Sequence, residues 1–122
     1  MELLDYFVDE PLDFVPGTEH RYSNSNYVTL GVIVDPYAAG AMCSTVEDLY
    51  RWDQALYTEA LVSAATLERM FTPGLGDYGF GWYIDELMVD GRPHKQIWHW
   101  GAYFGFHGYI ARLVDDRVTI IL

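Results

Sequence analysis

The sequence predicts an α+β domain, with short helices first and an antiparallel meander after them. Three observations predict it. Apolar residues recur at helical spacing between residues 45 and 71, at Leu49, Trp52 and Leu56 and then at Leu67, Met70 and Phe71. From Phe80 onward the runs have strand length and are cut by the turn signals Asp90-Gly91, Phe104-Gly105 and Asp115-Asp116. The helical and strand patterns do not interleave, which favours segregated helices and strands over a parallel sheet with crossover helices.

The elements follow in order. Residues 2–8 predict a short helix ended by Pro11, and Pro16-Gly17 marks a turn. A helix is expected from Ser25 through Tyr27, Leu30 and Ile33, with Ser23, Asn24 or Ser25 accepting from its first N–H groups. Val34-Asp35-Pro36 stops it, and Ala38-Ala39-Gly40-Ala41 turns the chain. Ser44-Thr45-Val46-Glu47 has capping-box spacing and opens a helix of about four turns, with Leu49, Trp52, Ala55 and Leu56 inward. Ser63 caps a second helix over Ala64 to Phe71, which Pro73-Gly74 ends. Four strands are expected at Phe80 to Val89, Lys95 to Tyr103, His107 to Val114 and Arg117 to Leu122, with Asp90-Gly91 as the first hairpin. The chain reads as one partial domain over residues 1–122, divided into segments 1–34, 35–74 and 75–122. It stops inside the apolar run Val118 to Leu122, where a last strand still needs cover, so the sequence reads as truncated.

The totals narrow the function. With 122 residues, 51% hydrophobic and 20% charged, the chain has a globular composition. The net charge of -11 repels polyanions, so nucleic acid and anionic membrane surfaces are excluded as partners. Cys43 is the only cysteine, which rules out an internal disulfide and leaves the compartment undecided. No signal-peptide pattern opens the sequence, and no apolar run reaches the roughly 20 residues of a membrane span.

Two short motifs carry possible chemistry. Tyr22-Ser23-Asn24 places a phenol and an amide two residues apart, close enough for one turn to aim both into a cleft. Tyr22 would act as a base or proton relay if cations favoured its phenolate, and Asn24 would hydrogen-bond a substrate amide or orient a lysine. In His99-Trp100-Gly101, strand alternation puts His99 and Gly101 on one face and Trp98 and Trp100 on the other. A glycine there leaves room for a substrate lying along the strand. The Ala102 N–H would then supply an oxyanion donor, with His99 beside the reacting carbonyl as proton donor or electrostatic partner. The plain structural readings are a helix cap for Asn24, packing for Tyr22, a backbone-bonded strand histidine for His99 and a bulge at Gly101.

Five landmarks in order resemble the serine β-lactamase-related family, which includes class C β-lactamases, D-alanyl-D-alanine carboxypeptidases and related esterases. They are Phe14-Val15-Pro16-Gly17 with Tyr22-Ser23-Asn24 and Asn26 to Gly31, then Ala39 to Leu49, then Tyr78-Gly79-Phe80-Gly81-Trp82, then His99 to Gly101, then Gly105-Phe106. The resemblance implies part of a β-lactamase/transpeptidase-like fold and an acyl-serine mechanism on amide or ester substrates, without a cofactor or metal. It implies Tyr22 and Asn24 as the second motif and His99 to Gly101 as the third, on the edge strand beside the site.

The departures from the family are specific. Its Ser-x-x-Lys motif is absent: Ser23 leads to Asn26, Ser25 to Val28, Ser44 to Glu47 and Ser63 to Thr66. The segment that family members carry before the Ala-Gly turn is missing, as are the strand and helix that close their sheet. Trp100 stands where small hydroxyl residues are common, which favours an esterase or amidase over penicillin recognition. The isolated chain is therefore expected to be inactive. Two other readings compete. His94, His99 and His107 would be the candidates for a metal site, but they lack metal-ligand spacing. Trp82, Trp98, Trp100, Tyr103, Phe104 and Phe106 would line a binding groove or, as an open sheet, drive homo-oligomerisation.

Overall fold

The computed structural model describes residues 9–27, 29, 43–103 and 105–122. They belong to two compact units, Met1–Cys43 and Ser44–Leu122. The predicted helix over residues 2–8, the break at Val34-Asp35-Pro36 and the Ala38-to-Ala41 turn lie outside the described residues.

In the first unit the Pro16-Gly17 turn forms as predicted. The Thr18 N–H donates to the Val15 carbonyl at 3.1 Å, and Gly17 takes φ +86°, a conformation that costs glycine nothing. Arg21 returns to this turn, pairing with Asp13 at 3.0 Å. Residues 24–27 and 29 are helical, beginning one position before the expected Ser25. Ser23 is the cap, because its hydroxyl accepts the Ser25 N–H at 3.3 Å.

The second unit holds two helices and one sheet. Helix α1 spans Val46–Ala55, just under three turns rather than four. The predicted cap moves by one residue: Thr45, not Ser44, is the N-cap, and its hydroxyl accepts the Asp48 N–H at 3.1 Å. Helix α2 spans Ala64–Met70 and is capped by Ser63 as expected. Strands β1 (Tyr83–Val89), β2 (Arg92–Tyr103), β3 (Phe106–Leu113) and β4 (Val118–Ile121) form an antiparallel sheet in chain order. The fold is α+β, as the segregated patterns predict.

Turn chemistry sets the strand ends. Asp90 and Gly91 both have positive φ, 49° and 76°, and Val89 pairs with Arg92, so this is a two-residue hairpin whose twist matches the strands. It lets β2 begin at Arg92 rather than Lys95. The β3–β4 connection is longer than the expected Asp115-Asp116 turn. Leu113 pairs with Val118, and Arg117 at φ 54° closes the intervening four residues.

One cross-strand row explains how α1 and the sheet are joined. Ile84, Ile97, Arg112 and Thr119 are successive register partners across all four strands and therefore share a face. Leu56, Trp82, Ile84 and Ile97 form the core there, with Leu67, Phe71, Ile110 and Val114 packed against it. Trp52 stacks on Trp82 with ring centroids 5.7 Å apart. Of the expected α1 stripe only Leu56 is fully buried, while Leu49 and Ala55 are half-buried and Trp52 is partly exposed. The position between them belongs to Asp53, which is 0% exposed and faces Arg112, 1% exposed.

This buried pair is held by several neighbours. Asp53 Oδ1 lies 2.5 Å from Arg112 Nε, a close charge contact outside hydrogen-bond geometry. Asp53 Oδ2 accepts from Thr119 at 2.7 Å and from Gln54 at 2.9 Å. The guanidinium carbon lies 4.5 Å from the Tyr57 ring centroid and 5.2 Å from that of Phe71. One ion pair thus ties α1 to β3 and, through Thr119, to β4.

Candidate active site

Tyr22 and Asn24 belong to the first unit. Tyr22 is 39% exposed, and its ring stacks on Tyr27 at 5.8 Å. Asn24 is exposed at the first helical position. Ser23 does the capping there, so the reading of Asn24 as the cap is replaced.

His99, Gly101 and Ala102 lie on β2 in the second unit. The start of β1 gives this stretch its character. Tyr83, the first residue of β1, pairs with Trp98, so among the described residues that side of β2 has no strand partner from His99 onward. The ladder tells which backbone groups face the opening. Tyr109 and Leu122 exchange N–H···O bonds of 3.1 and 2.9 Å, so the backbone groups of Tyr109 point to β4. Those of its neighbours Gly108 and Ile110 point to β2, where their partners are Gly101 and His99. Trp100 and Ala102 alternate with these and direct their N–H and C=O groups to the open edge.

Among the described residues the face above this edge is bare. Gly101 pairs with Gly108, both are exposed, and a Cβ on either would meet nothing within 4 Å. His99 is half-buried at the inner end of the shelf. Its Nε2 lies 3.1 Å from the Tyr78 hydroxyl, and its ring stacks on Tyr83 at 5.7 Å. Burial lowers the His99 pKa below 6.5, partly offset by a hydrogen bond to the Trp100 backbone. Burial at this position thus favours the neutral imidazole.

Tyr78 is the residue that the sequence reading uses only as a landmark. Its segment is held by close packing. The Gly79 N–H donates to the Trp82 carbonyl at 2.8 Å, and the Phe80 N–H to the Met70 carbonyl at 3.3 Å. A Cβ on Gly79 would press on the Met70 carbonyl oxygen and the Ile84 side chain. Gly81 takes φ +84°. The Tyr-Gly-x-Gly-Trp pattern is thus a tight turn that sends Trp82 into the core and Tyr78 to His99.

The aromatic residues grouped as a possible groove separate. Trp82 is core. Trp98 stacks on Tyr83 at 4.8 Å and donates to Asp85 at 2.9 Å. Trp100 and Phe106 are 55% and 79% exposed. Phe104 and the Tyr103 side chain lie outside the described residues. Two of the histidines are engaged elsewhere: His94 pairs with Asp116, and His99 bonds Tyr78. Among the described residues no three His, Cys, Asp or Glu side chains converge as a metal would require. Among them also, no helix is long and apolar enough to cross a membrane.

Comparison with known proteins points the same way as the motifs. Penicillin-binding protein 4* of Bacillus subtilis (strain 168) is 35% identical over 88 residues, 67% of this chain and 19% of that protein. The chain is a relative of the penicillin-binding proteins. A second relative is PbpX of the same organism, provisionally named as a penicillin-binding protein. It is 43% identical over 72 residues, 57% of this chain and 18% of that protein. The chain spans about a fifth of the length of the curated relatives it matches. No family model matches the chain. No solved structure matches it significantly.

Proposed function

We propose that this chain carries the second and third active-site motifs of a serine acyl-transfer enzyme acting on small amide or ester substrates. The observation that supports it most is the open edge of β2, where Ala102 turns its N–H outward beside a shelf of two glycines. An extended acyl group can pair with that edge while the outward N–H receives the developing oxyanion. Tyr22 relays the proton of the attacking hydroxyl, and Asn24 holds the substrate amide. His99 flanks the reacting carbonyl. The nucleophile is outside this sequence, since none of its serines is followed three residues later by lysine. Alone, the chain turns nothing over.

The test is a chimera in which this chain replaces the matching segment of penicillin-binding protein 4*, assayed by acylation with a fluorescent penicillin and with an activated ester. Ala102→Pro removes the outward N–H at an edge position, where a strand tolerates proline. It should slow acylation by about 10²–10³-fold, the usual effect of losing an oxyanion donor. Unchanged acylation in a folded chimera would refute the assignment.

A second reading, self-association, is favoured by the opposite face of the sheet. Leu87, Val89, Trp100, Val118, Ile120 and Leu122 share that face, and each is more than a third exposed. Light scattering after gel filtration should show a dimer that Ile120→Lys dissociates. A monomer throughout the micromolar range would exclude it.

A further inference from the structure

We propose that Tyr78 is a positioning residue, donating its phenolic hydrogen to His99 Nε2 and so holding the imidazole as the neutral Nδ1–H tautomer. The inference rests on the reading of His99 as a residue of the acyl-transfer site, and it selects between the two roles open to it there. An imidazole whose Nε2 is engaged by Tyr78 and whose N–H is spent on backbone acts as a fixed dipole, not as the acid that protonates a leaving group.

Geometry carries the argument. The Tyr78 hydroxyl lies 3.1 Å from Nε2, within normal hydrogen-bond distance. The Tyr78 ring cannot drift, because it packs edge-on against Tyr83 at 4.7 Å and its main chain bridges to Tyr83. Its carbonyl also accepts the Gly74 N–H at 3.2 Å. The Tyr83 ring stacks in turn on His99, nearly parallel at 21°. The imidazole is thereby fixed in plane and in direction. The bond between His99 and the Trp100 backbone favours the protonated form, so the ring N–H is the donor and the carbonyl the acceptor. That assigns the ring proton to Nδ1 and leaves Nε2 as acceptor, with the phenol as donor. The chain Tyr78–His99–Trp100 carbonyl then ends on the open edge, one residue from the Gly101-Ala102 peptide that presents the outward N–H. Tyr78 acts on the edge through His99.

The test is long-range proton–nitrogen NMR of the labelled full chain, with His20, His94 and His107 as internal references. At neutral pH the wild type should show His99 protonated on Nδ1 and bare on Nε2. Tyr78→Phe removes the hydroxyl and keeps the ring. It should mix the two tautomers and raise the His99 pKa, because a bond donated to Nε2 favours the neutral ring. Tyr83→Phe keeps the stack and should change neither. A proton on Nε2 in the wild type, or a tautomer and pKa unmoved by Tyr78→Phe, would overturn the proposal. Should Tyr78→Phe fail to fold, the wild-type tautomer alone decides. A chimera in which His99→Ala leaves acylation intact would refute the site reading instead, with the tautomer result standing.

Discussion

Replacing Asp53 by Asn is the perturbation with the most at stake for the second unit. The change keeps the shape of the side chain and removes its charge. Arg112 would keep the backbone carbonyl of residue 53 and the rings of Tyr57 and Phe71 as neighbours, but no counter-charge. Arginine cannot neutralise itself by losing a proton. Breaking a buried ion pair from one side costs about 3–5 kcal/mol, against about 0–1 kcal/mol for an exposed pair. Exposures of 0% and 1% put this pair in the first class. With total stability of about 0.05–0.15 kcal/mol per residue, such a loss is a large share of what holds a domain this small. Urea unfolding followed by tryptophan fluorescence reads it directly, since the half-exposed Trp52 stacks on the core residue Trp82. The midpoint should fall by about 1–5 M, using a slope of roughly 1–3 kcal/mol/M. Arg112→Met should cost less, because the stranded carboxylate keeps its hydrogen bonds from Thr119 and Gln54. The double replacement Asp53→Leu with Arg112→Met should return close to wild type. A cost below about 1 kcal/mol for Asp53→Asn would refute the reasoning, because that is the value of a solvated pair.

Three further predictions concern local structure. Thr45→Ala should cost about 1 kcal/mol by loss of the α1 cap, and Ser44→Ala almost nothing, which urea midpoints would separate. Gly79→Ala should lower stability by about 1–3 kcal/mol, because the added methyl meets the Met70 carbonyl and Ile84. His99 has a folded-state pKa below its unfolded value, so the unfolded chain binds more protons between the two values. Its contribution to stability is therefore full above about pH 6.5 and is lost as pH falls from there through the folded pKa. His99→Gln should flatten that part of the stability–pH curve, and an unchanged curve would show that burial does not disfavour the charged ring.

Much of this architecture can be read from the residues. Asp90-Gly91 and Pro16-Gly17 specify their turns through positive φ, and the four-strand meander follows from the spacing of such signals. Strand ends are less legible, because hairpin geometry rather than apolar content sets them: β2 starts at Arg92, before the apolar run does. The cap falls on Thr45 rather than Ser44, and the sequence cannot separate them because both residues have a hydroxyl and a carboxylate three positions on. Asp53 escapes the pattern because polar residues are assigned outward by default. An Asp inside the Leu49, Trp52, Leu56 stripe, and an Arg between Ala111 and Leu113, are the available signals for a buried pair. For the site, alternation correctly separates His99 and Gly101 from Trp98 and Trp100. The Tyr78–His99 bond spans 21 residues and depends on the close approach of Gly79 to Met70, which no local pattern encodes.

The central claim is that this chain holds two motifs of an acyl-transfer site without a nucleophile, and intact mass spectrometry tests it most directly. The chain is incubated separately with a fluorophosphonate and with a penicillin, and its mass is measured. The account predicts the unmodified mass in both. A single stoichiometric adduct on Ser23, Ser25, Ser44 or Ser63 would contradict it and make the chain an enzyme in its own right.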